Sequence, residues 1–193
     1  MERVHKTHNF SAILRNCDAV GVLDVHAVPP EDGLSLHHGT SAGTRKWIRV
    51  HRHDDVGAAV AFLREEGFTV LAAHPGEEAV AFRQVDFTRP VALMMGAELH
   101  GVSDQGLELA DEQVAIPMVG MVHSLNVSVA TALLLYEAQR QREEAGMYRS
   151  SRLSEAEFRR TLFEWAYPDL ARRYRGEGRP YPDLDDEGRL LPD

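Results

Sequence analysis

Two hydrophobic periodicities alternate along the chain, and this alternation limits the possible fold more than any other feature. Short runs rich in Val, Ile and Ala suit β-strands, and the longer segments between them repeat apolar residues at helical spacing. The predicted strands are 22–28, 46–52, 69–74, 90–96 and 114–118, and the predicted helices are 9–21, 56–68, 103–111, 126–145 and 154–166. Strands separated by helices favour an α/β fold with a mostly parallel sheet and helices on both faces.

Polar residues at the helix starts support these boundaries. Ser103 is expected to cap one helix, and Ser154 with Glu157 forms a capping box at another. The stretch after residue 166 is rich in Pro, Gly and charge, so we predict a mostly irregular tail there.

Composition restricts the partners and the compartment. The formal net charge of −9 argues against a nucleic-acid partner, but arginines recur over residues 138–180 and are candidates for contacts with an RNA backbone. No apolar run approaches the ~18 residues that span a membrane, and the first residues lack the apolar core of a signal peptide. Cys17 is the sole cysteine, which excludes an intramolecular disulfide and favours the cytoplasm.

Metal and hydrolase chemistry find no support in the sequence. The pairs His37–His38 and His51–His53 do not form an H-E-x-x-H motif or a Cys–His set with zinc spacing, so we expect no metal. The alternating pair is typical of a solvated strand face. A G-x-S-x-G elbow is also absent.

The first polar cluster is HKTHNFSAILR, residues 5–15. Asn9 can cap the predicted helix, and Arg15 can lie on its surface. Alternatively, both side chains face a bound anion, since the planar guanidinium makes two parallel bonds to a phosphate.

The second cluster is MMGAELHGVS, residues 94–103, directly after a buried strand. It matches neither a P-loop nor a dinucleotide fingerprint. Glu98 can simply be solvated there, whereas Gly96 and Gly101 indicate a backbone that something approaches closely.

The third cluster is IPMVGMVHSLN, residues 116–126, which opens the longest helix. Ser124 or Asn126 can cap that helix, but capping does not explain both residues together with Gly120. Ligands of open parallel sheets bind beyond the carboxyl ends of the strands, and the second and third clusters follow predicted strand ends.

Taken in order, these clusters resemble the SpoU/TrmH family of SPOUT RNA ribose methyltransferases. The matching stretches are HNFSAILRNCDAVGV, VALMMGAELHGVS and IPMVGMVHSLNVSVATALLLYEAQRQR, within a similarity that runs from about residue 3 to residue 182. The segments YEAQRQREEAGMY and RPYP resemble the branch that methylates the ribose 2′-hydroxyl of guanosine 18 in the tRNA D-loop.

The resemblance implies a fold, a cofactor and partners. It implies a SPOUT methyltransferase domain over residues 1–148 with a deep C-terminal trefoil knot, and a helical and irregular extension over 149–193. It further implies S-adenosyl-L-methionine as the cofactor, tRNA as the substrate and a homodimer. The alternatives are a methyltransferase for rRNA or the tRNA anticodon loop, and an RNA-binding relative with impaired catalysis.

The resemblance also assigns roles to residues. Arg15 matches the family's catalytic arginine and has Asn9 beside it, while Glu98, Ser124 and Asn126 match its other functional positions. Since a guanidinium stays protonated in proteins, stabilising a phosphate or a forming alkoxide suits Arg15 better than acting as a base. The implied cofactor-binding residues are Ala73, Gly96, Ile116, Met118, Gly120, Leu125 and Asn126.

The sequence departs from the family pattern at a few positions. Relatives usually begin earlier, so an N-terminal helix and most of a first strand are expected to be missing here. Ala73 stands where the family has Thr, His123 where it has Gln, and Thr7 where it has Pro. None of these departures removes a predicted catalytic residue.

Overall fold

The computed structural model of the protein describes residues 1–30, 46–185 and 187–191. The chain divides into two compact units, Met1–Ala145 and Gly146–Asp193. The histidines at 37 and 38 lie outside the described residues.

The first unit contains the parallel strands that the sequence predicts. The strands are β1 (Asp24–Ala27), β2 (Arg49–Arg52), β3 (Thr69–Ala73), β4 (Val80–Ala81), β5 (Val91–Met94) and β6 (Glu112–Ala115). β1 pairs with β2, and a second sheet has the order β4-β6-β3-β5, with every pairing parallel. The mostly parallel sheet is therefore confirmed. β4 was missed because two residues are too few to show a periodicity.

The N-terminal residues Met1–Arg3 lie between the two sheets. Glu2 forms a parallel bridge with Val28 at the end of β1, and its N–H donates to the carbonyl of Met95 after β5 at 2.8 Å. This segment therefore connects the β1–β2 pair to the larger sheet through backbone hydrogen bonds.

Helices cover both faces of the larger sheet. They are α1 (Thr7–Ala19), α2 (Val56–Glu65), α3 (Asp104–Leu109) and α4 (Val127–Glu144). Alternate residues of β3 show the two faces: Val70 and Ala72 join the core formed with α2 and α3, and Leu71 joins the core formed with α4. On the β1–β2 pair, Val25 and Ala27 are buried with α1. Helices on both faces are therefore confirmed.

The helix starts agree with the capping pattern at three places. The Ser103 side chain accepts a hydrogen bond from the N–H of Gly106, Asn126 caps α4 by accepting from the N–H of Ser128, and Ser154 forms the predicted capping box. At α1 the prediction was wrong, because the helix begins before Asn9 and its cap residue is Lys6.

The second unit contains α5 (Glu155–Ala166) and α6 (Pro168–Gly176). Phe163 on α5 is buried, with its ring 4.5 Å from the ring of Tyr181. The tail that was predicted to be mostly irregular therefore includes one helix, α6, which was not predicted. The proline at the first helical position was the available signal, because its backbone angle suits a helix start.

Gly96 occupies a position that no larger residue fits. Ala97 and Gly101 exchange two backbone hydrogen bonds of 2.9 and 2.8 Å, which fold residues 97–101 into a tight loop. A Cβ added at Gly96 would lie 1.9 Å from the carbonyl carbon of Gly101 and 2.1 Å from the nitrogen of Val102. The close approach predicted for this glycine is therefore made by the backbone of its own loop.

We predict opposite effects of the same substitution at two glycines. Gly96→Ala should destabilise the fold by about 1–3 kcal/mol or more, because the methyl group collides with backbone atoms that cannot rotate away. Gly120→Ala should leave stability unchanged or slightly raised, since among the described residues no heavy atom lies within 4 Å of its added Cβ. Urea denaturation of both variants measures this difference, and equal stability of the two would contradict the geometry.

Candidate active site

Three predicted cofactor positions lie at one edge of the larger sheet. β3 is hydrogen-bonded to β5 on one side and to β6 on the other, and all three strands run in the same direction. Ala73 is the last residue of β3, Gly96 follows β5, and Ile116 follows β6. Parallel pairing brings these strand ends to the same edge, where ligands of such sheets bind.

Glu98 ties this edge to the start of α1. Its carboxylate accepts hydrogen bonds from the backbone N–H groups of His5 at 3.1 Å and Lys6 at 2.9 Å. It also accepts from the side-chain amide of Asn9 at 2.9 Å. Lys6 makes no side-chain cap of its own, so a carboxylate from a distant loop satisfies free N–H groups at this helix start.

These hydrogen bonds keep Glu98 ionised. Partial burial alone would raise the pKa of Glu98, but the bonds from Asn9 and from the N–H groups of His5 and Lys6 outweigh it. The pKa falls from 4.5 to about 2. The predicted alternative of a merely solvated Glu98 does not describe this carboxylate.

Asn9 connects Glu98 to the start of α4 through hydrogen bonds. Its side chain is 2% exposed, and its carbonyl oxygen accepts a hydrogen bond from the side-chain amide of Asn126 at 3.1 Å. The carbonyl oxygen of Asn126 accepts in turn from the N–H and the hydroxyl of Ser128 at 2.8 and 2.7 Å. One residue from each of the three sequence clusters thus lies in a single hydrogen-bonded chain, Glu98–Asn9–Asn126.

Two residues that sequence reasoning missed reinforce this contact. The side-chain amide of Asn16 donates to the carbonyl oxygen of Ser128 at 2.8 Å, so α1 is held to the start of α4 at two levels. Asn16 lies seven residues, or about two helical turns, after Asn9. That spacing puts both amides on one face of α1, so the sequence alone could have indicated a polar contact on this face.

Arg15 and Ser124 remain outside this network. Both side chains are exposed, and neither makes a hydrogen bond or ion pair with any residue the structure describes. The guanidinium of Arg15 is therefore available to an external anion.

The segment after β6 has backbone N–H and C=O groups that no described residue binds. Residues 117–125 make no backbone–backbone hydrogen bond within the described parts of the chain. Met118 and Leu125 are half-buried, while Gly120 is exposed. Unpaired donors and acceptors beside half-buried apolar side chains suit a ligand with both polar and apolar parts.

Metal and membrane features are absent from the parts of the chain that the structure describes. No group of three or more His, Cys, Asp or Glu side chains there is arranged to hold a metal ion. No helix there has the length and apolar character needed to cross a membrane.

Comparison with known proteins identifies the family to which the chain is similar. The SpoU rRNA Methylase family matches residues 1–136, and the SpoU, rRNA methylase, C-terminal family matches residues 140–193. The tRNA (guanosine(18)-2'-O)-methyltransferase of Escherichia coli (strain K12) is 50% identical over 195 aligned residues, which cover 100% of this chain and 85% of that protein.

Two solved structures have a fold similar to that of this chain. The A. aeolicus TrmH/SpoU tRNA modifying enzyme superposes with a TM-score of 0.81 at 45% identity, covering 88% of this chain and 86% of that one. An AdoMet-bound rRNA methyltransferase from Sinorhizobium meliloti superposes with a TM-score of 0.65 at 28% identity, covering 72% of this chain and 54% of that one.

The chain is a member of the SpoU methylase family. Family membership and the α/β fold class predicted from the sequence are thus confirmed. The trefoil knot and the individual site residues stay predictions.

We predict that Glu98→Gln weakens the fold in a pH-dependent way. At pH 7 the variant should lose about 1–3 kcal/mol, because an amide cannot accept all three bonds that the carboxylate accepts. Since the folded-state pKa lies below the ordinary 4.5, the stabilisation is complete above pH 4.5 and is lost as the pH falls towards 2. Urea denaturation at several pH values should therefore show the wild-type advantage shrinking below pH 4.5.

Glu65→Gln provides the matched control for this measurement. Glu65 is exposed on α2 and has no hydrogen bond or ion pair with a described residue, so this substitution should change stability little at any pH. A wild-type advantage over Glu98→Gln that does not depend on pH would contradict the assigned role of the ionised carboxylate.

Proposed function

We propose that the chain transfers a methyl group from S-adenosyl-L-methionine to the ribose 2′-hydroxyl of guanosine 18 in tRNA. The observation that carries this proposal is the 50% identity to the Escherichia coli tRNA (guanosine(18)-2'-O)-methyltransferase over the whole chain. The similarity to the A. aeolicus tRNA modifying enzyme, which covers most of both chains, supports it independently.

The residues at the carboxyl edge of the sheet fit the cofactor. The unpaired backbone groups of residues 117–125 suit the polar ends of the nucleoside and amino-acid parts, and Ile116, Met118 and Leu125 offer apolar surface to the adenine. Ala73 and Gly96 would border the same pocket from β3 and β5. S-adenosyl-L-methionine supplies an activated methyl group when bound there, and its presence in the Sinorhizobium meliloti relative supports this assignment.

The protein's own contribution is then alignment and charge stabilisation. The cofactor would bring its own thioether leaving group, so the protein would mainly have to align the ribose and stabilise the negative charge that its 2′-oxygen gains as the hydroxyl proton passes to water. Arg15 is exposed and unpaired among the described residues, and we assign its guanidinium to a phosphate of the RNA or to that developing charge. Asn9 and Glu98 hold α1, and so the backbone that carries Arg15, against the pocket edge.

Asn126 and Ser124 would complete the site. Asn126 has both of its polar atoms engaged, towards Asn9 and Ser128, so we assign it to positioning the start of α4. Ser124 is exposed two residues earlier and remains free for the substrate ribose.

The arginines of residues 138–180 differ in their availability to RNA. Most of them are bound within the chain: Arg140 pairs with Glu137, Arg142 donates to the carbonyl of Phe87, and others pair with neighbouring carboxylates. Arg149, Arg152 and Arg160 make no ion pair with any described residue. Since a paired arginine must leave its carboxylate before it binds a phosphate, we assign the RNA backbone contacts of this region to these three.

We also propose that the protein acts as a homodimer. α4 buries Leu134 and Leu135 in the core, yet its opposite face is apolar too: Val129, Leu133 and Tyr136 are 48%, 40% and 52% exposed. Their spacing of four and three residues makes a continuous stripe on the helix, which is typical of a helix that is buried on two sides. Val119, Met121 and Val122, which precede α4 in the chain, are apolar and exposed as well. A second copy would cover the stripe on α4.

A cytoplasmic location accords with a tRNA substrate. The thiol of Cys17 is buried, which raises its pKa to about 11, so it is unsuited to disulfide chemistry. We propose the cytoplasm on these grounds.

Mapping the modified nucleotide tests the function directly. The protein is incubated with methyl-labelled S-adenosyl-L-methionine and a tRNA transcript, and the labelled nucleotide is located by nuclease digestion and mass spectrometry. We expect one labelled 2′-O-methylguanosine at position 18. Label in rRNA or in the anticodon loop would favour a different substrate, and tRNA binding without any label would favour a catalytically impaired binding protein.

Arg15→Ala is expected to reduce methyl transfer by about 100-fold or more in kcat, as is usual when a group that stabilises transition-state charge is removed. Stability should not fall, because the exposed guanidinium has no partner among the described residues and Ala favours helices. Steady-state kinetics, calorimetry with the cofactor and urea denaturation separate these effects. Arg15→Lys keeps the charge but not the planar fork, so its kcat should lie between those of the wild type and Arg15→Ala. Full activity in Arg15→Ala would reject the assignment.

Leu133→Asp is expected to convert the dimer to monomers, because a carboxylate would be buried in the apolar contact of the two α4 helices. Sedimentation velocity measures the change in mass. Ala61→Asp places the same charge on an exposed position of α2 and should leave the dimer intact. The dimer interface lies elsewhere if Leu133→Asp sediments like the wild type.

A further inference from the structure

The face of the β1–β2 pair opposite α1 carries a group of stacked rings. The rings of His26 and His51 lie 4.8 Å apart with an interplanar angle of 16°, and those of His26 and His53 lie 5.1 Å apart at 28°. Phe62 on α2 approaches two of them, 5.3 Å from His26 and 5.7 Å from His53. We call these four side chains the ring platform.

Hydrogen bonds hold the imidazoles in place. Nδ1 of His26 and Nε2 of His53 are 2.8 Å apart, so one of them donates to the other. Nε2 of His51 lies 2.7 Å from a carboxylate oxygen of Asp24, whose other oxygen accepts from Arg49 at 2.7 Å. The rings are therefore ordered before any ligand arrives, which lowers the entropy lost on binding.

The platform has the character of a π surface more than of a charged patch. Burial lowers the pKa of His26 to about 4, with the neighbouring His51 and His53 adding to the effect. Burial, followed by His51, also lowers the pKa of His53. Both shifts favour the neutral form of the imidazole.

A metal site and a buried core explain the platform less well. The facing nitrogen atoms of His26 and His53 share a hydrogen bond with each other, and the described residues contain no group of three side chains that could hold a metal ion. The platform also remains partly open, since Phe62 is 41% exposed and His51 is exposed. An exposed stack of planar rings suits another planar ring.

A cation lies on the same face as the rings. Side chains alternate along a strand, so Arg49 lies on the face of His51, where it pairs with Asp24, whereas Arg52 follows Val50 on the α1 face. Stacking rings beside a cation are the combination that proteins use for unpaired nucleotides, whose bases stack and whose phosphates need positive charge.

We propose that the ring platform is a base-stacking subsite for unpaired nucleotides of the RNA substrate. The proposal rests on the proposed function, because tRNA supplies unpaired loop nucleotides. It adds a contact surface on the β1–β2 pair to the pocket at the carboxyl edge of the larger sheet.

The test measures tRNA binding by ring-deletion variants of the full chain. Phe62→Ala should weaken the Kd for fluorescein-labelled tRNA by about 5- to 100-fold, the range typical of losing one stacking side chain. Phe68→Ala is the matched control: Phe68 is 37% exposed but has no ring contact with a described residue, so its removal should not change the Kd. In both variants, kcat at saturating tRNA and the affinity for S-adenosyl-L-methionine should match the wild type.

Substitutions at His51 separate stacking from hydrogen bonding. His51→Ala and His51→Gln should both weaken tRNA binding, because neither keeps a ring, although Gln can still bond to Asp24. His51→Tyr should restore it. If His51→Gln binds tRNA like the wild type and His51→Tyr does not, the hydrogen bond to Asp24 is the role of His51, and the stacking proposal is wrong.

Two further outcomes have defined meanings. If the wild type methylates tRNA and all ring-deletion variants bind it equally well, the platform is only a solvated strand face. If the wild type does not act on tRNA, the proposed function fails, and the platform is then judged with a single-stranded oligoribonucleotide. Weaker binding of that probe by Phe62→Ala supports the platform, whereas equal binding, or equal competition by a fully paired duplex, overturns it.

Discussion

The carboxylate of Glu98 is the interaction on which the arrangement of the candidate site depends. It accepts two backbone N–H groups at the start of α1 and the amide of Asn9, which in turn contacts Asn126 at the start of α4. Without it, the backbone N–H groups of His5 and Lys6 and the side-chain amide of Asn9 would lose their acceptor. Since hydrogen bonds to a charged group are stronger than neutral ones, a single carboxylate can hold two helices and a strand end together.

The backbone of the 97–101 loop is what brings this carboxylate to the right place. The loop closes on Gly96 so tightly that only hydrogen fits on its α-carbon. Close approach of a ligand is one reason for a glycine at a strand end, but here the crowding comes from the protein itself. The same short stretch therefore forms a border of the proposed cofactor pocket and aims Glu98 at α1.

Much of the architecture could be predicted, because helical and strand periodicities report directly on which face of an element is buried. The parallel sheet, the helix caps at Ser103 and Asn126 and the family followed from such local patterns. The role of Asn9 could not be predicted from such local patterns. A side chain near a helix start can cap it or pack across it, and the choice depends on Glu98, which lies 89 residues away in the chain. The strand at Val80–Ala81 was missed because it is too short to show a period.

The sequence by itself determined the element order, the three polar clusters and the surplus of apolar residues on α4, because each is written in local spacing. Only the tertiary structure decided which polar groups meet. It joined Glu98, Asn9 and Asn126, left Arg15 and Ser124 without described partners, and stacked His26 on His51. The physical reason is that hydrogen bonds and ring contacts between distant segments depend on strand register and helix rotation, which no local pattern records.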